Sequence, residues 1–246
     1  MLVDYYYAVQ GYRIQAHGQH RAIAQESDKG SSHLFGIVGS AMHDLEEQIA
    51  DALGAYAKAH RPGRWALGIT GIGPIITAGL LAHIDIEKAP TVGHIWRFAG
   101  LDPSVRWEKG QKRPWNADLK VLCWKIGDSF VKNKGRITDD YGKVYAERKD
   151  LEVARNEAGV FADTAAATLA QKNFRDAETR AIYESGKLPA GRLDARARRY
   201  AVKLFLAHLH HVMHECHYGT KPPMPYILAN NPAHTHYLAP PKWPVE

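Results

Sequence analysis

Apolar residues recur at three- and four-residue steps along most of this chain, and no stretch of useful length alternates apolar with polar positions, so the pattern predicts a mainly α fold. The clearest stripe runs from Leu34 to Tyr56 through Ile37, Val38, Met42, Leu45, Ile49 and Leu53. Tyr5 to Ala24, with mixed polar and aromatic positions, predicts a helix before it, and Ser27-Asp-Lys-Gly30 the turn between them. Two helices on a short turn form an αα-hairpin, a helical arm spanning residues 1–60 that is suited to self-association into a homo-oligomer.

Arg61-Pro-Gly-Arg64 punctuates the chain before Trp65-Ala-Leu-Gly-Ile-Thr-Gly-Ile-Gly-Pro-Ile-Ile-Thr-Ala-Gly-Leu-Leu-Ala-His-Ile84. Here Gly71-Ile72-Gly73-Pro74 joins two apolar helical patterns, which reads as a helix-hairpin-helix. Gly71 and Gly73 lack a Cβ, so the backbone can turn through positive φ and approach a partner closely. Pro74 suits a first helical position, and the free N–H groups of the next turn favour an anion. A nucleic-acid phosphate fits, gripped without sequence readout through Gly71, Ile72, Gly73 and Thr77. The bland alternative is a purely structural joint between helices.

After the hairpin, Ala89-Pro-Thr-Val-Gly93 starts a short helix through Ile95, Trp96 and Phe98, stopped by Gly100 and Pro103. Residues 104–113 read as a basic loop. Pro114 is then expected to open a helix carrying the stripe Trp115, Leu119, Leu122, Ile126 and Phe130. These elements, with the helix-hairpin-helix, make one domain over 61–135. Residues 136–246 form a C-terminal region, with long exposed helices expected from Tyr141 to Tyr183. A break follows at Ser185–Gly191, then a last helix from Asp194 to about His217 and a Pro-rich tail.

At 246 residues and 45% hydrophobic composition the chain can bury a real core. Its charge is localised: Arg106 to Arg136 holds nine Lys/Arg against three Asp/Glu, an excess equal to the whole chain's formal +6. Lys187 to Lys203 adds six basic residues against one acidic. Placed positive charge points to a polyanion, DNA first and structured RNA second. Trp107, Trp115 and Trp124 are interleaved with Lys109, Lys112, Arg113, Lys120 and Lys125, the mix that stacks on bases while neutralising phosphates. Trp107 is the stacking candidate, and Trp124 is open to a reading as plain core. The nucleic-acid surface is assigned to Arg106, Trp107, Lys109, Lys112, Arg113, Asn116 and Lys120 beside the hairpin.

Cys123 and Cys216 lie far apart inside apolar patterns, so no disulfide framework or Cys-x-x-Cys metal site is implied. The start lacks a signal-peptide pattern, and no apolar run approaches a bilayer-spanning length, so the expectation is a cytoplasmic, nucleoid-associated protein without membrane contact. His208, His210, His211, His214 and His217 crowd the last helix, with His234 and His236 beyond it. His210, His214 and His217 share a face at a spacing that can hold zinc. No standard ligand signature accompanies them, and a His-rich helix contacting the aromatic tail, its rings satisfied by backbone and phosphate, is the preferred reading, with no cofactor. Asp139, Asp140, Glu147, Asp150 and Glu152 read as solvated carboxylates.

The hairpin, followed by Trp96-Arg-Phe-Ala-Gly-Leu-Asp-Pro103, a loop with Gly110 and Lys112, and Asn116-Ala-Asp-Leu-Lys120, resembles one family closely. It is similar to the C-terminal domain of the insertion-sequence transposases that pair a DEDD, RuvC-like nuclease domain with a catalytic serine and are guided by a bridge RNA. The resemblance is strong from about Trp65 to Lys120, and residues 5–56 resemble the helical arm that precedes this domain. It implies a part in DNA transposition or recombination. Two departures bear on chemistry. Only a few residues precede the first helix, so the acidic domain is expected to be missing, and with it the carboxylates that hold two metal ions. Alignment on Gly110 places Trp107, Glu108 and Lys109 where the family has its serine. Ser104 is a weak substitute, better suited to a turn. The expectation is therefore a DNA-binding, transposase-like protein without complete chemistry of its own. The alternatives are a serine recombinase using Ser104 with a nuclease subunit in trans, and a non-catalytic interaction protein.

Overall fold

The computed structural model describes residues 2–25, 29–224 and 237–245. Among the described residues there are ten α-helices, one 3-10 turn and no strand, so the fold is mainly α. Ser27 and Asp28 of the expected turn lie outside the described residues, as do His234 and His236, whereas Lys29 and Gly30 are already helical. Contacts divide the chain into two compact units, Met1–Leu67 with Gly73–Ile84, and Gly68–Ile72 with Asp85–Pro244.

In the first unit, α1 (Leu2–Gln25) and α2 (Lys29–Ala59) pack along each other. They run antiparallel, since Tyr6 bonds Glu46 at 2.9 Å while His20 approaches the Ser32 carbonyl at 2.6 Å. Val3, Val9, Ile49 and Leu53 form their core, joined by Ala78 of α4 (Pro74–His83). The buried Glu46 carboxylate accepts from Tyr6, from Gln10 at 2.8 Å and from Arg13 at 2.5 Å. Burial pushes this carboxyl up, but its three donors outweigh that and leave it below the ordinary range. The apolar stripe of α2 is covered unevenly: Ile49 and Leu53 are buried, whereas Leu34, Ile37 and Val38 are exposed.

The helix breaks at His60, and Arg61-Pro-Gly-Arg64 lies just after that break. These four residues form the first turn of α3 (Arg61–Leu67), where the missing N–H of Pro62 costs nothing. A Cβ on Gly63 would lie 2.0 Å from the Ala57 carbonyl oxygen, which explains the glycine beside it. α3 and α4 contact each other within this unit.

The second unit is built on α10 (Ala190–Tyr218), which packs against α5 (Val92–Phe98), α6 (Ala117–Asn133) and α7 (Tyr141–Glu157). Leu119, Leu122, Ile126 and Phe130 of α6 are buried, as the stripe predicts. Phe130 stacks on Tyr141 at 5.0 Å between ring centroids, and Phe205 meets both rings edge-on. The region from Tyr141 to Tyr183 departs from the expected long exposed helices. It comprises three shorter ones, α7, α8 (Ala162–Gln171) and α9 (Ala177–Glu184), and α7 buries Tyr141, Tyr145, Glu152 and Asn156. Alanine content raises helix propensity but does not say which face packs. No described helix is long and apolar enough to cross a membrane.

Candidate nucleic-acid interface

Residues 68–73 connect α3 to α4. Gly71 has φ +89°, and an added Cβ would sit 2.7 Å from the Ser129 hydroxyl oxygen, so glycine is required there on two grounds. The segment is held within the second unit: Ser129 donates to the Gly71 carbonyl at 2.6 Å, Thr70 to the Thr138 carbonyl at 2.6 Å, and Lys242 to the Gly68 carbonyl at 2.9 Å. Gly73 differs from its expected role. Its φ of −93° and ψ of −179° are extended backbone, open to any residue, and beyond its chain neighbours no atom of the described residues lies within 4 Å of an added Cβ. At the start of α4 Gly73 supplies no side-chain cap and Pro74 follows it, which leaves the first turn uncapped by any side chain.

Two hairpin residues do not present their side chains to a ligand. Thr77 is 0% exposed and its hydroxyl has no hydrogen-bond partner among the described residues, and Ile72 is 3% exposed. Helical spacing places Thr77 one turn into α4, on the face that packs inward.

In the second unit the basic loop is solvent-facing, with Arg106, Lys109, Lys112 and Arg113 all exposed. Ser104 is a turn residue: its N–H and hydroxyl both donate to Asp102 Oδ1, at 2.9 and 2.7 Å. These bonds hold the Asp102 carboxyl below the usual range and make it a weak base. The Trp107 indole N–H donates to the Gln111 carbonyl at 2.8 Å, closing the loop on itself. Arg113 lies 5.6 Å from the centroid of that indole, which meets Trp115 edge-on at 6.2 Å. Lys120 in turn lies 3.9 Å from the Trp115 centroid.

Pro114 does not open α6. The helix starts at Ala117 because Asn116 caps it, its side-chain carbonyl accepting the Leu119 N–H at 2.8 Å. Asn116 is thus a structural residue at the base of the loop, and its own N–H donates to the Phe98 carbonyl at 2.8 Å. Trp124, open to a core reading, is 65% exposed on α6.

Sequence reasoning missed the contribution of α10 to this surface. Lys203 lies 4.0 Å from the Trp96 centroid and its carbonyl accepts the Trp96 indole N–H at 3.1 Å. Burial lowers the Lys120 ammonium, and the neighbouring charges of Arg113 and Arg199 lower it further. Arg199 is also depressed, by burial and then by Arg196 and Arg192. Lys120 and Arg199 thus stand among other cations, a field suited to an anion. The second charge concentration, Lys187 to Lys203, was the available signal.

The histidines have separate partners. His208 sits between the Tyr141 hydroxyl at 2.6 Å and the Leu238 carbonyl at 2.9 Å, and burial pushes its pKa down to about 4. His210 Nε2 meets the Ala89 carbonyl at 2.8 Å, His214 Nδ1 the Thr220 carbonyl at 2.9 Å, and His217 Nε2 the Glu87 carboxylate at 3.4 Å. Among the described residues no group of three or more His, Cys, Asp or Glu is placed to hold a metal ion.

Two carboxylates expected to be solvated are buried. Asp139 accepts the Gly142 N–H at 2.7 Å and the Gly135 N–H at 3.2 Å. Glu152, 0% exposed, is held by Arg148 of α7 at 2.5 Å and Arg196 of α10 at 2.7 Å. Both are structural; the second joins two helices through a paired buried charge.

The geometry defines a helical protein with a tight glycine turn leading into an uncapped helix, and a loop of exposed cations among indoles. Residues 64–113, from the middle of α3 through that loop, match the model of the transposase IS116/IS110/IS902 family and are similar to it. No curated protein and no solved structure matches the chain.

Proposed function

We propose that this chain is a transposase-like, nucleic-acid-binding protein that takes part in DNA transposition or recombination. One observation carries the reading: the segment similar to a transposase family ends in a loop whose cations, Arg106, Lys109, Lys112 and Arg113, face solvent. The N-terminus of α4 takes a phosphate, and the 106–136 surface takes further phosphates without sequence readout. DNA is the main partner and structured RNA the second, the latter in line with the resemblance to RNA-guided transposases. The arm mediates self-association, and the protein works at the nucleoid.

Chemistry is not assigned to the chain alone. Glu108 stands at the family's serine position, and Ser104 is tied to a carboxylate that its own bonds make a poor base. Titration of the protein with duplex DNA at several salt concentrations tests the reading. Affinity that falls steeply with salt supports it, and no binding at low salt leaves a non-catalytic interaction protein.

A further inference from the structure

Phe98 is a large hydrophobic residue left 43% exposed at the end of α5, beside the most basic loop of the chain. A shallow, open depression of about 430 Å³ lies there, lined by Phe98, Lys112, Arg113, Pro114, Trp115 and Asn116. All six lie in the second unit. Its walls are tied to one another. The Asn116 N–H donates to the Phe98 carbonyl at 2.8 Å, which fixes one wall to the other. Trp115 is locked from behind: Gly100, at φ +65°, lies so close that an added Cβ would fall 2.8 Å from the indole Cγ, and Lys120 sits 3.9 Å from the ring centroid.

The lining has a divided chemistry. Aromatic and proline carbon forms one part, and two exposed cations, Lys112 and Arg113, stand beside it. The charges that bear on neighbouring Lys120 come from further cations, Arg113 and Arg199. A purely apolar ligand leaves these charges unanswered, and a free phosphate leaves the Phe98 ring unused. A nucleotide satisfies both, with its base against Phe98 and its phosphate at Lys112 and Arg113. A base inside a duplex has both faces covered by its stacked neighbours, so the nucleotide must leave the stack, which a single strand allows.

We propose that the open depression at Phe98 and Trp115 receives one unpaired nucleotide of the bound nucleic acid, so that the protein prefers strands with unstacked bases over uniform duplex. This rests on the nucleic-acid reading above and adds a site to it.

The test compares three probes on the full chain: a short single-stranded DNA, a strand of equal length built of abasic residues, and a duplex. Fluorescence anisotropy at fixed salt reads affinity. Wild-type protein binds the base-bearing strand more tightly than the abasic one. Phe98→Leu, which keeps apolar bulk and removes the ring face, weakens binding of the base-bearing strand by roughly tenfold and leaves abasic strand and duplex unchanged. Phe98→Ala does the same, and a matched melting temperature for Phe98→Leu shows that the fold is intact. Equal wild-type affinity for base-bearing and abasic strands overturns the pocket, as does Phe98→Leu binding all three probes like wild type. In either case salt-sensitive duplex binding still upholds the broader reading. Failure to bind any of the three probes removes both.

Discussion

Ser129 donates its hydroxyl to the Gly71 carbonyl at 2.6 Å, and that same oxygen lies 2.7 Å from where a Gly71 Cβ would stand. The residue is constrained by its neighbour as well as by its φ of +89°. Gly71→Ala should therefore lower stability by about 1–3 kcal/mol, read as a shift in the urea midpoint. Gly73→Ser should change it by no more than about 0.5 kcal/mol, because the position is extended and open. Equal effects at both glycines would contradict this account of the turn.

Phosphate contacts release counterions, so the log of DNA affinity should fall linearly with log salt at about −0.9 per contact, giving a slope of roughly −4 to −6 if half or more of the 106–136 cations engage. Charge reversal at Lys112 and Arg113 should flatten the slope with unchanged unfolding, since both are exposed. A slope identical to wild type would place the phosphates elsewhere.

His208 is buried as the neutral ring, its Nε2–H donating to the Leu238 carbonyl and its Nδ1 accepting the Tyr141 hydroxyl. Its folded pKa of about 4 lies below the ordinary value of 6.5, so the unfolded chain binds the proton first. The stability tied to neutral His208 is present above pH 6.5 and is lost as pH falls toward 4, at no more than about 1.4 kcal/mol per pH unit. Urea unfolding at a series of pH values should show this slope. His208→Gln should have a shallower one.

Ser104 holds a turn, with both of its donors on Asp102. Incubation of the chain with supercoiled or branched DNA and magnesium should leave the DNA unchanged, and Ser104→Ala should bind DNA as wild type does. A covalent protein–DNA adduct that disappears in Ser104→Ala would establish the serine-recombinase alternative.

Leu34, Ile37 and Val38 continue the buried stripe of α2 into solvent. A helix that leaves part of its apolar stripe bare is suited to a second copy. Light scattering should report a dimer or larger assembly that Ile37→Glu with Val38→Glu dissociates. A monomer at micromolar concentration would assign the arm another partner.

The mainly helical character, the α6 stripe through Leu119, Leu122, Ile126 and Phe130, the turn at Gly71 and the basic loop were legible in the sequence. Each depends on neighbours a few positions away: helical period, glycine's missing Cβ and local charge density act over one or two turns of chain. The tertiary structure decided what lies against each face. It buried Thr77, Asp139 and Glu152, exposed Trp124, relieved Gly73 of any unusual φ, and paired His208 and His210 with backbone carbonyls from distant segments. It also brought Lys203 onto Trp96, and Phe98 beside Trp115, where no local spacing predicts a site. Period sets the angle at which a side chain leaves its helix, while burial and field depend on which other helix arrives there, a matter of contacts far apart in sequence.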